Sequence, residues 1–152
     1  MRMKPGTLQC ALSKMLDAPI VRANYKAKSL KGGTLGDVRL VSGTAKTADG
    51  RELPYQLVFK AQKKWARPGD PDSWRREHDF YTSDFSAVFT ESFRPPTCYH
   101  AELSGDEIQL WMEYVGGKSG SGLTIEMMEC AALELGRFQG RLVQNPRPLE
   151  IM

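Results

Sequence analysis

The sequence predicts an α+β protein, in which a five-stranded antiparallel sheet carries one inserted helix and a further helix lies at each end of the chain. Two hairpin signals support this prediction, because Asp49-Gly50 and Gly105-Asp106 each lie between two strand-like stretches. The third observation is helical periodicity in three other stretches. The order helix, three strands, helix, two strands, helix is typical of a layered α+β fold.

The size and composition of the chain are those of one globular domain, or of one lobe of a larger one. Its 152 residues are 41% apolar and 26% charged, which is enough apolar material for a core of its own. The net charge of +3 is too small to indicate a nucleic-acid partner. Since no apolar stretch has the length of a signal peptide or of a membrane span, we expect a cytoplasmic protein with no membrane partner.

The cysteines and histidines follow no pattern of a metal site or of a disulfide framework. Cys10, Cys98 and Cys130 are odd in number and far apart in the sequence, which favours a reducing compartment. His78 and His100 have no cysteine or carboxylate at the spacing of zinc ligands. We therefore predict that this chain binds no metal through these residues.

The first half of the chain is predicted to form a helix and then an antiparallel meander. Thr7 caps the helix, which runs to Asp17 because four apolar residues recur at helical spacing, namely Leu8, Leu12, Met15 and Leu16. Three strands are then predicted at residues 20–30, 38–44 and 55–61. A glycine-rich turn and the Asp49-Gly50 turn separate them.

The second half supplies the inserted helix, the last two strands and the final helix. Asp70-Pro71 is a suitable start for a helix that runs to about Phe85. Strands are predicted at residues 97–103 and 107–115, and a Gly/Ser-rich linker follows. The final helix spans residues 124–143 and carries one apolar stripe, made of Ile125, Met128, Ala132, Leu135, Phe138 and Leu142.

A lysine and a glutamate are the most informative pair of residues. Lys60 follows the apolar run Leu57-Val58-Phe59, and a lone buried ammonium is costly unless it finds a partner. Glu77 lies in the first turns of the inserted helix and is able to form a salt bridge with Lys60. The alternative is that Lys60 reaches solvent and Glu77 lies on a solvated helix face.

Taken in order, these features resemble the aminoglycoside and choline kinase-like phosphotransferases, which have a protein-kinase-like fold. The resemblance covers about residues 22–142. The residues that carry it are Gly32-Gly33-Thr34-Leu35-Gly36, Leu57-Val58-Phe59-Lys60, Trp74-Arg75-Arg76-Glu77-His78-Asp79-Phe80-Tyr81, Leu110-Trp111-Met112-Glu113-Tyr114-Val115 and the final helix from Ala132 to Leu142. The resemblance implies the ATP-binding N-terminal lobe of a small-molecule kinase, which transfers the γ-phosphoryl group of ATP to a hydroxyl.

The resemblance also implies a role for each matched residue. Lys60 would contact the α- and β-phosphates of ATP, and Glu77 would orient its ammonium. The loop over the phosphates would contain Gly32, Gly33, Thr34 and Gly36. The residues Glu113, Tyr114 and Val115 would form the hinge, whose backbone groups read the adenine edge. Mg²⁺ would be held mainly by the second lobe.

The residues that perform the transfer are missing from this sequence. The family needs a catalytic aspartate in a His-x-Asp loop and a later aspartate for Mg²⁺, and no His-x-Asp triplet occurs among the 152 residues. We therefore expect the N-terminal portion of a longer enzyme, inactive by itself, with no catalytic residue in this chain. Its predicted parts are an N-terminal helix at 1–19, a kinase-like lobe at 20–117 and, at 118–152, a linker with the first helix of the second lobe.

Two further expectations concern partners. Without a second lobe to cover it, the apolar stripe of helix 124–143 is expected to cause self-association. The alternative function is a non-catalytic protein-interaction module with a kinase-lobe-like sheet. A nucleic-acid binder is disfavoured, because no aromatic-rich basic groove accompanies the basic residues near the start of the chain. The small-molecule acceptor is not specified by these residues.

Overall fold

The computed structural model describes residues 3–4, 6–30, 36–90, 92–118 and 120–144, and it has the predicted α+β architecture. The helices are α1 (Thr7–Leu16), α2 (Arg76–Thr82) and α3 (Ile125–Gln144), with short 3-10 turns at Ser73–Arg75, Asp84–Val88 and Gly120–Gly122. The strands are β1 (Ile20–Ala23), β2 (Lys26–Ser29), β3 (Asp37–Thr47), β4 (Glu52–Lys63), β5 (Cys98–Ser104) and β6 (Glu107–Glu113).

All strand pairs of the sheet are antiparallel. The strand order is β1-β3-β4-β6-β5, and β2 also pairs with β3. Both predicted hairpins are present, since β3 and β4 are joined at Asp49-Gly50 and β5 and β6 at Gly105-Asp106. The sheet has six strands and not five, because the first predicted strand is interrupted between β1 and β2.

The interruption at Asn24 comes from a close approach to β3. A Cβ atom on Gly43 would lie 2.9 Å from the carbonyl carbon of Asn24 and closer still to the carbonyl oxygen, so only glycine allows the two backbones to be this near. The Asn24 amide donates to the Thr44 carbonyl at 3.1 Å, and the Thr44 amide donates to Asn24 Oδ1 at 2.9 Å. The Tyr55 hydroxyl donates to the Asn24 carbonyl at 2.7 Å. This long-range contact has no local sequence signal.

Helix α1 covers one face of the sheet and forms the main core with it. Leu12 is fully buried against Leu57, Phe59 and Trp111, and Leu8, Met15 and Leu16 pack around the same cluster. The predicted apolar face of this helix is therefore confirmed. The predicted cap at Thr7 is wrong, because Thr7 is the first helical residue and its hydroxyl donates to the Lys4 carbonyl at 3.0 Å.

The inserted helix is shorter than the predicted stretch from Asp70 to Phe85. The Asp70 carboxylate pairs with Arg76 and does not cap the helix, and a 3-10 turn at Ser73–Arg75 precedes α2. At the other end, the Ser83 hydroxyl donates to the Phe80 carbonyl at 3.0 Å and accepts from the Phe85 amide at 3.3 Å. These side-chain bonds compete with the helical pattern and explain why α2 ends at Thr82.

By its internal contacts the chain divides into two units. The first unit contains residues 1–79 and 96–114, hence all six strands, α1 and the first part of α2. The second unit contains residues 80–95 and 115–152, hence α3. The predicted lobe at 20–117 and the first unit both contain the whole sheet. They differ in two places, because the first unit also includes α1 and does not include residues 80–95.

The second unit is organised around aromatic rings. Phe138 of α3 is buried and stacks on Phe89, with ring centroids 4.7 Å apart, and it contacts Phe93 at 5.1 Å. Phe80 and Phe85 extend the cluster to Phe89 at 5.8 and 5.7 Å. Such pairs stabilise a small unit beyond the effect of burying their surface.

Most of the apolar side chains of α3 are exposed. The helix begins as predicted, since the Thr124 hydroxyl accepts from the Met127 amide at 3.3 Å. Apolar side chains between 41% and 81% exposed include Ile125, Met127, Met128, Leu133, Leu135 and Val143. No helix in the part of the chain that the structure describes is both long and apolar enough to cross a membrane.

Candidate functional site

Lys60 lies inside a strand, in the middle of the sheet. The sequence predicted that its strand ends at residue 61, but β4 continues to Lys63 because its pairing with β6 continues to Glu107. Lys60 is directly opposite Val38 on one side and Leu110 on the other. Its side chain is on the sheet face opposite α1, because Phe59 and Ala61 are buried on the α1 side and successive residues of a strand alternate.

The structure brings Glu77 and Lys60 together. Glu77 is in the first turn of α2, and its carboxylate accepts a hydrogen bond from the Lys60 ammonium in an ion pair. The two side chains are 36% and 28% exposed, respectively, so the pair is accessible from solvent on one side. This is the contact expected from the sequence, and it holds an ammonium in a fixed place on the open face of the sheet.

A second connection joins the same two elements. The Gln62 side-chain amide donates to the main-chain carbonyl of Trp74 at 3.0 Å, in the 3-10 turn before α2. A cavity of about 10 Å³ lies here, lined by Lys60, Gln62, Trp74, Glu77, Ile108 and Leu110. Sequence reasoning did not single out Gln62, and it named Trp74 only as part of the segment that carries the resemblance. The available signal was alternation, since a residue two positions after Lys60 lies on the same face of the strand.

Apolar side chains surround Lys60 on its face of the sheet. Directly opposed residues of antiparallel strands share a face, so the pairs Leu40–Val58 and Val58–Met112 place an apolar row next to Lys60. Met112 is buried, and Val58 and Leu40 are half-buried. The site therefore combines a fixed ammonium with a partly open apolar surface two residues away along β4.

The end of the glycine-rich turn lies against β4, next to Lys60. Gly32, Gly33 and Thr34 lie outside the described residues. Gly36 is described, and a Cβ atom at this position would be 2.8 Å from the carbonyl oxygen of Ala61. The backbone at Gly36 thus lies against Ala61, the residue of β4 that follows Lys60, and a side chain larger than hydrogen would hold Gly36 away from it.

The predicted hinge begins at Glu113, the last residue of β6, and continues into Tyr114 and Val115. The Glu113 amide donates to the Thr97 carbonyl at 2.8 Å, and the Glu113 carboxylate accepts from the Thr97 amide at 2.9 Å. The Glu113 amide is therefore engaged within the fold. Tyr114 and Val115 lie beyond the last paired residue of the strand, and their side chains are 42% and 59% exposed.

A larger groove lies elsewhere on the first unit. Its volume is about 790 Å³, and it is lined by residues around the Asn24 interruption together with Tyr114, including Tyr25, Lys26, Thr44, Tyr55 and Gln56. Lys60 and Glu77 are not part of it. The groove is wide and open, and size alone does not make it the site of chemistry. We base the candidate site on the ion pair and its surroundings.

Among the residues that the structure describes, no three His, Cys, Asp or Glu side chains are close enough together to hold a metal ion.

Comparison with protein-family models and with curated proteins finds no match for this chain. The functional assignment therefore depends on the residues and their geometry.

Proposed function

We propose that this chain is the ATP-binding N-terminal lobe of a small-molecule kinase, similar to the aminoglycoside phosphotransferases, that transfers the γ-phosphoryl group of ATP to a hydroxyl. The observation that carries the proposal is the ion pair between Lys60 in the middle of the sheet and Glu77 on a separate helix. Phosphoryl transfer depends mainly on positioning and on charge neutralisation, and a fixed ammonium serves both.

The ion pair leaves Lys60 able to bind phosphate. An ammonium has three N–H donors, and the hydrogen bond to Glu77 occupies one of them. The others are available for the α- and β-phosphates of ATP, in charge-assisted hydrogen bonds. Glu77 keeps the ammonium in place in the absence of ligand, so little ordering remains to be done when ATP binds.

The apolar row next to Lys60 is suited to the base of the nucleotide. Val58, Leu40 and Met112 share the face of Lys60, and an adenine ring on this surface would remain in reach of the chain after β6. Because the Glu113 amide is engaged by Thr97, the adenine edge would be read by other backbone groups of residues 113–115. The glycine-rich turn, with Gly36 against β4, would close over the phosphates.

The proposal assigns to this chain the placement of ATP and not the transfer step. The catalytic aspartate and the aspartate that holds Mg²⁺ would come from a second lobe, as would the groups that bind the small-molecule acceptor. Mg²⁺, when bound with ATP, would neutralise phosphate charge. The chain by itself is expected to be inactive.

A cytoplasmic location is part of the proposal. All three cysteines are free thiols, with Cys10 and Cys130 exposed and Cys98 half-buried. Exposed free thiols are typical of proteins in a reducing compartment, which is also where ATP is abundant.

A thermal-shift titration with Mg-ATP tests the proposal. At about ten times Kd, ligand linkage adds about 1.4 kcal/mol to the unfolding free energy, which raises Tm by about 3–5 °C for a chain of this size. We expect this rise for the natural chain and for Lys63→Ala, which removes a charge from the exposed end of the same strand. Lys60→Ala should abolish it, and an equal rise in Lys60→Ala contradicts the proposal.

The alternative, a non-catalytic protein-interaction module, is favoured by one observation, the exposed apolar side chains of α3. In that case Lys60 is a structural residue, and Mg-ATP produces no Lys60-dependent rise in Tm. Substitution of exposed residues such as Leu135 would then weaken partner binding, whereas Lys60→Ala would leave it unchanged.

A further inference from the structure

Helix α2 and the 3-10 turn before it are attached to β4 by two polar contacts that lie side by side. One is the ion pair between Lys60 and Glu77, and the other is the hydrogen bond of 3.0 Å from Gln62 to the Trp74 carbonyl. Lys60 and Gln62 are alternate residues of one strand and share a face. Trp74 and Glu77 are three residues apart, about one helical turn. The strand and the helical segment therefore meet in register at two points.

The neutral contact is the better protected of the two. Trp74 is 5% exposed, and the residues opposite Lys60 and Gln62 on β6, Leu110 and Ile108, are buried beside it. The Trp74 indole N–H has no hydrogen-bond partner among the residues that the structure describes. Trp74 is therefore linked to Gln62 through its main chain, so this hydrogen bond fixes the backbone of the turn itself.

The two contacts respond differently to charge. The ion pair is partly exposed and is weakened by salt. In the proposed function, the Lys60 ammonium also donates hydrogen bonds to phosphate when ATP binds. The hydrogen bond from Gln62 involves no charge, so neither salt nor the binding of phosphate weakens it. A helix held at one point is free to rotate about it, whereas a second contact fixes its orientation, so the position of Glu77 depends on Gln62.

We propose that Gln62 is a positioning residue, which fastens the turn before α2 to β4 and thereby keeps the Glu77 carboxylate opposite the Lys60 ammonium. The consequence for ATP rests on the proposed function, because Gln62 would act on the nucleotide only through Glu77 and Lys60. The placement of the pair does not require a ligand, and it is measurable in the free chain.

The experiment is a double-mutant cycle carried out in two backgrounds. Lys60→Met, Glu77→Gln and the double variant give the coupling between the two residues from urea denaturation. The cycle is repeated with Gln62→Met, which keeps the length of the side chain and removes its N–H donor. Gln56→Met is the control background, since it makes the same change on the same strand and face, four residues before Lys60.

We expect the coupling between Lys60 and Glu77 to fall to less than half in the Gln62→Met background and to stay unchanged in the Gln56→Met background. Gln62→Thr is the second variant, because a β-branched residue is tolerated in a strand and is too short to reach Trp74. It should lower the coupling in the same way. Coupling in the Gln62→Met and Gln62→Thr backgrounds equal to that in the natural chain overturns the proposal.

Mg-ATP titration of the same variants separates this inference from the proposed function. Gln62→Met should raise Kd roughly threefold to tenfold, the effect of about one hydrogen bond, and should cause no further rise when added to Glu77→Gln. A further rise of the same size contradicts action through Glu77. Absence of Lys60-dependent binding in the natural chain overturns the proposed function, while the cycle without nucleotide still decides the role of Gln62.

Discussion

Replacement of Gly43 by alanine tests the most constrained contact of the fold. The new Cβ atom would lie 2.9 Å from both the Asn24 carbonyl carbon and Asn24 Oδ1, and closer still to the carbonyl oxygen, whereas ordinary contacts of this kind are 3.4–4 Å. The backbone of residues 23–26 has to move away from β3. β2, which leads to the glycine-rich turn, begins at Lys26, so the site is affected as well.

The size of the effect follows from what the movement breaks. Three hydrogen bonds hold Asn24 in place, two with Thr44 and one with Tyr55, and each is worth about 1 kcal/mol. In Gly43→Ala, part of this hydrogen-bond energy is lost and the misplaced methyl group adds strain. We therefore expect the substitution to lower the unfolding free energy by about 2–4 kcal/mol. This is a large part of the stability of an ordinary domain.

Urea denaturation followed by circular dichroism measures the change, with an expected decrease of the midpoint by about 1–2 M. Gly140→Ala is the matched control, because this glycine is inside α3 and its added Cβ would meet no atom within 4 Å outside the neighbouring helix backbone. That variant should gain about 0.5–1 kcal/mol. A Gly43→Ala protein as stable as the natural chain would refute the close approach of Asn24 to β3.

Three further predictions concern the thiols, a buried phenol and α3. Burial raises the pKa of the Cys98 thiol, so iodoacetamide should modify it more slowly than the two exposed cysteines at neutral pH; equal rates in the folded chain contradict this. Burial also raises the pKa of Tyr55 from 10 to about 12, so its contribution to stability is complete below pH 10 and is lost as the pH rises toward 12. Tyr55→Phe should therefore show a smaller loss of stability over this range, measured by urea denaturation at each pH, and an unchanged loss would contradict the assignment. Self-association through helix 124–143 stays a prediction, which light scattering checks: Leu135→Glu should lower the average mass at micromolar concentration, and a natural chain that is already monomeric contradicts it.

Local sequence signals were sufficient to predict the order of the helices and strands along the chain. The turns at Asp49-Gly50 and Gly105-Asp106 define hairpins because such residues favour the tight backbone geometry that joins two antiparallel strands. Helical spacing predicted α1 and α3 because apolar residues recur at that spacing in both. Helix α1 buries its apolar face, whereas α3 buries only Phe138 among its described residues. The sequence also predicted that Lys60 and Glu77 meet, since an ammonium in an apolar strand needs a partner.

Contacts between distant parts of the chain were not predictable in the same way. The break at Asn24 depends on Gly43, nineteen residues later, and a glycine in a strand has several structural meanings. The extension of β4 to Lys63 depends on pairing with β6, which offsets the polar character of its last residues. Gln62 looks like an ordinary solvent-facing residue until the turn before α2 is seen to pack over it.

The central claim is that the Lys60 ammonium, held by Glu77, binds the phosphates of ATP. Calorimetric titration of Mg-ATP into the natural chain, Lys60→Ala and Lys63→Ala tests it most directly. The account predicts saturable heats for the natural chain and for Lys63→Ala, and their loss in Lys60→Ala. An affinity of Lys60→Ala equal to that of the natural chain would contradict the claim.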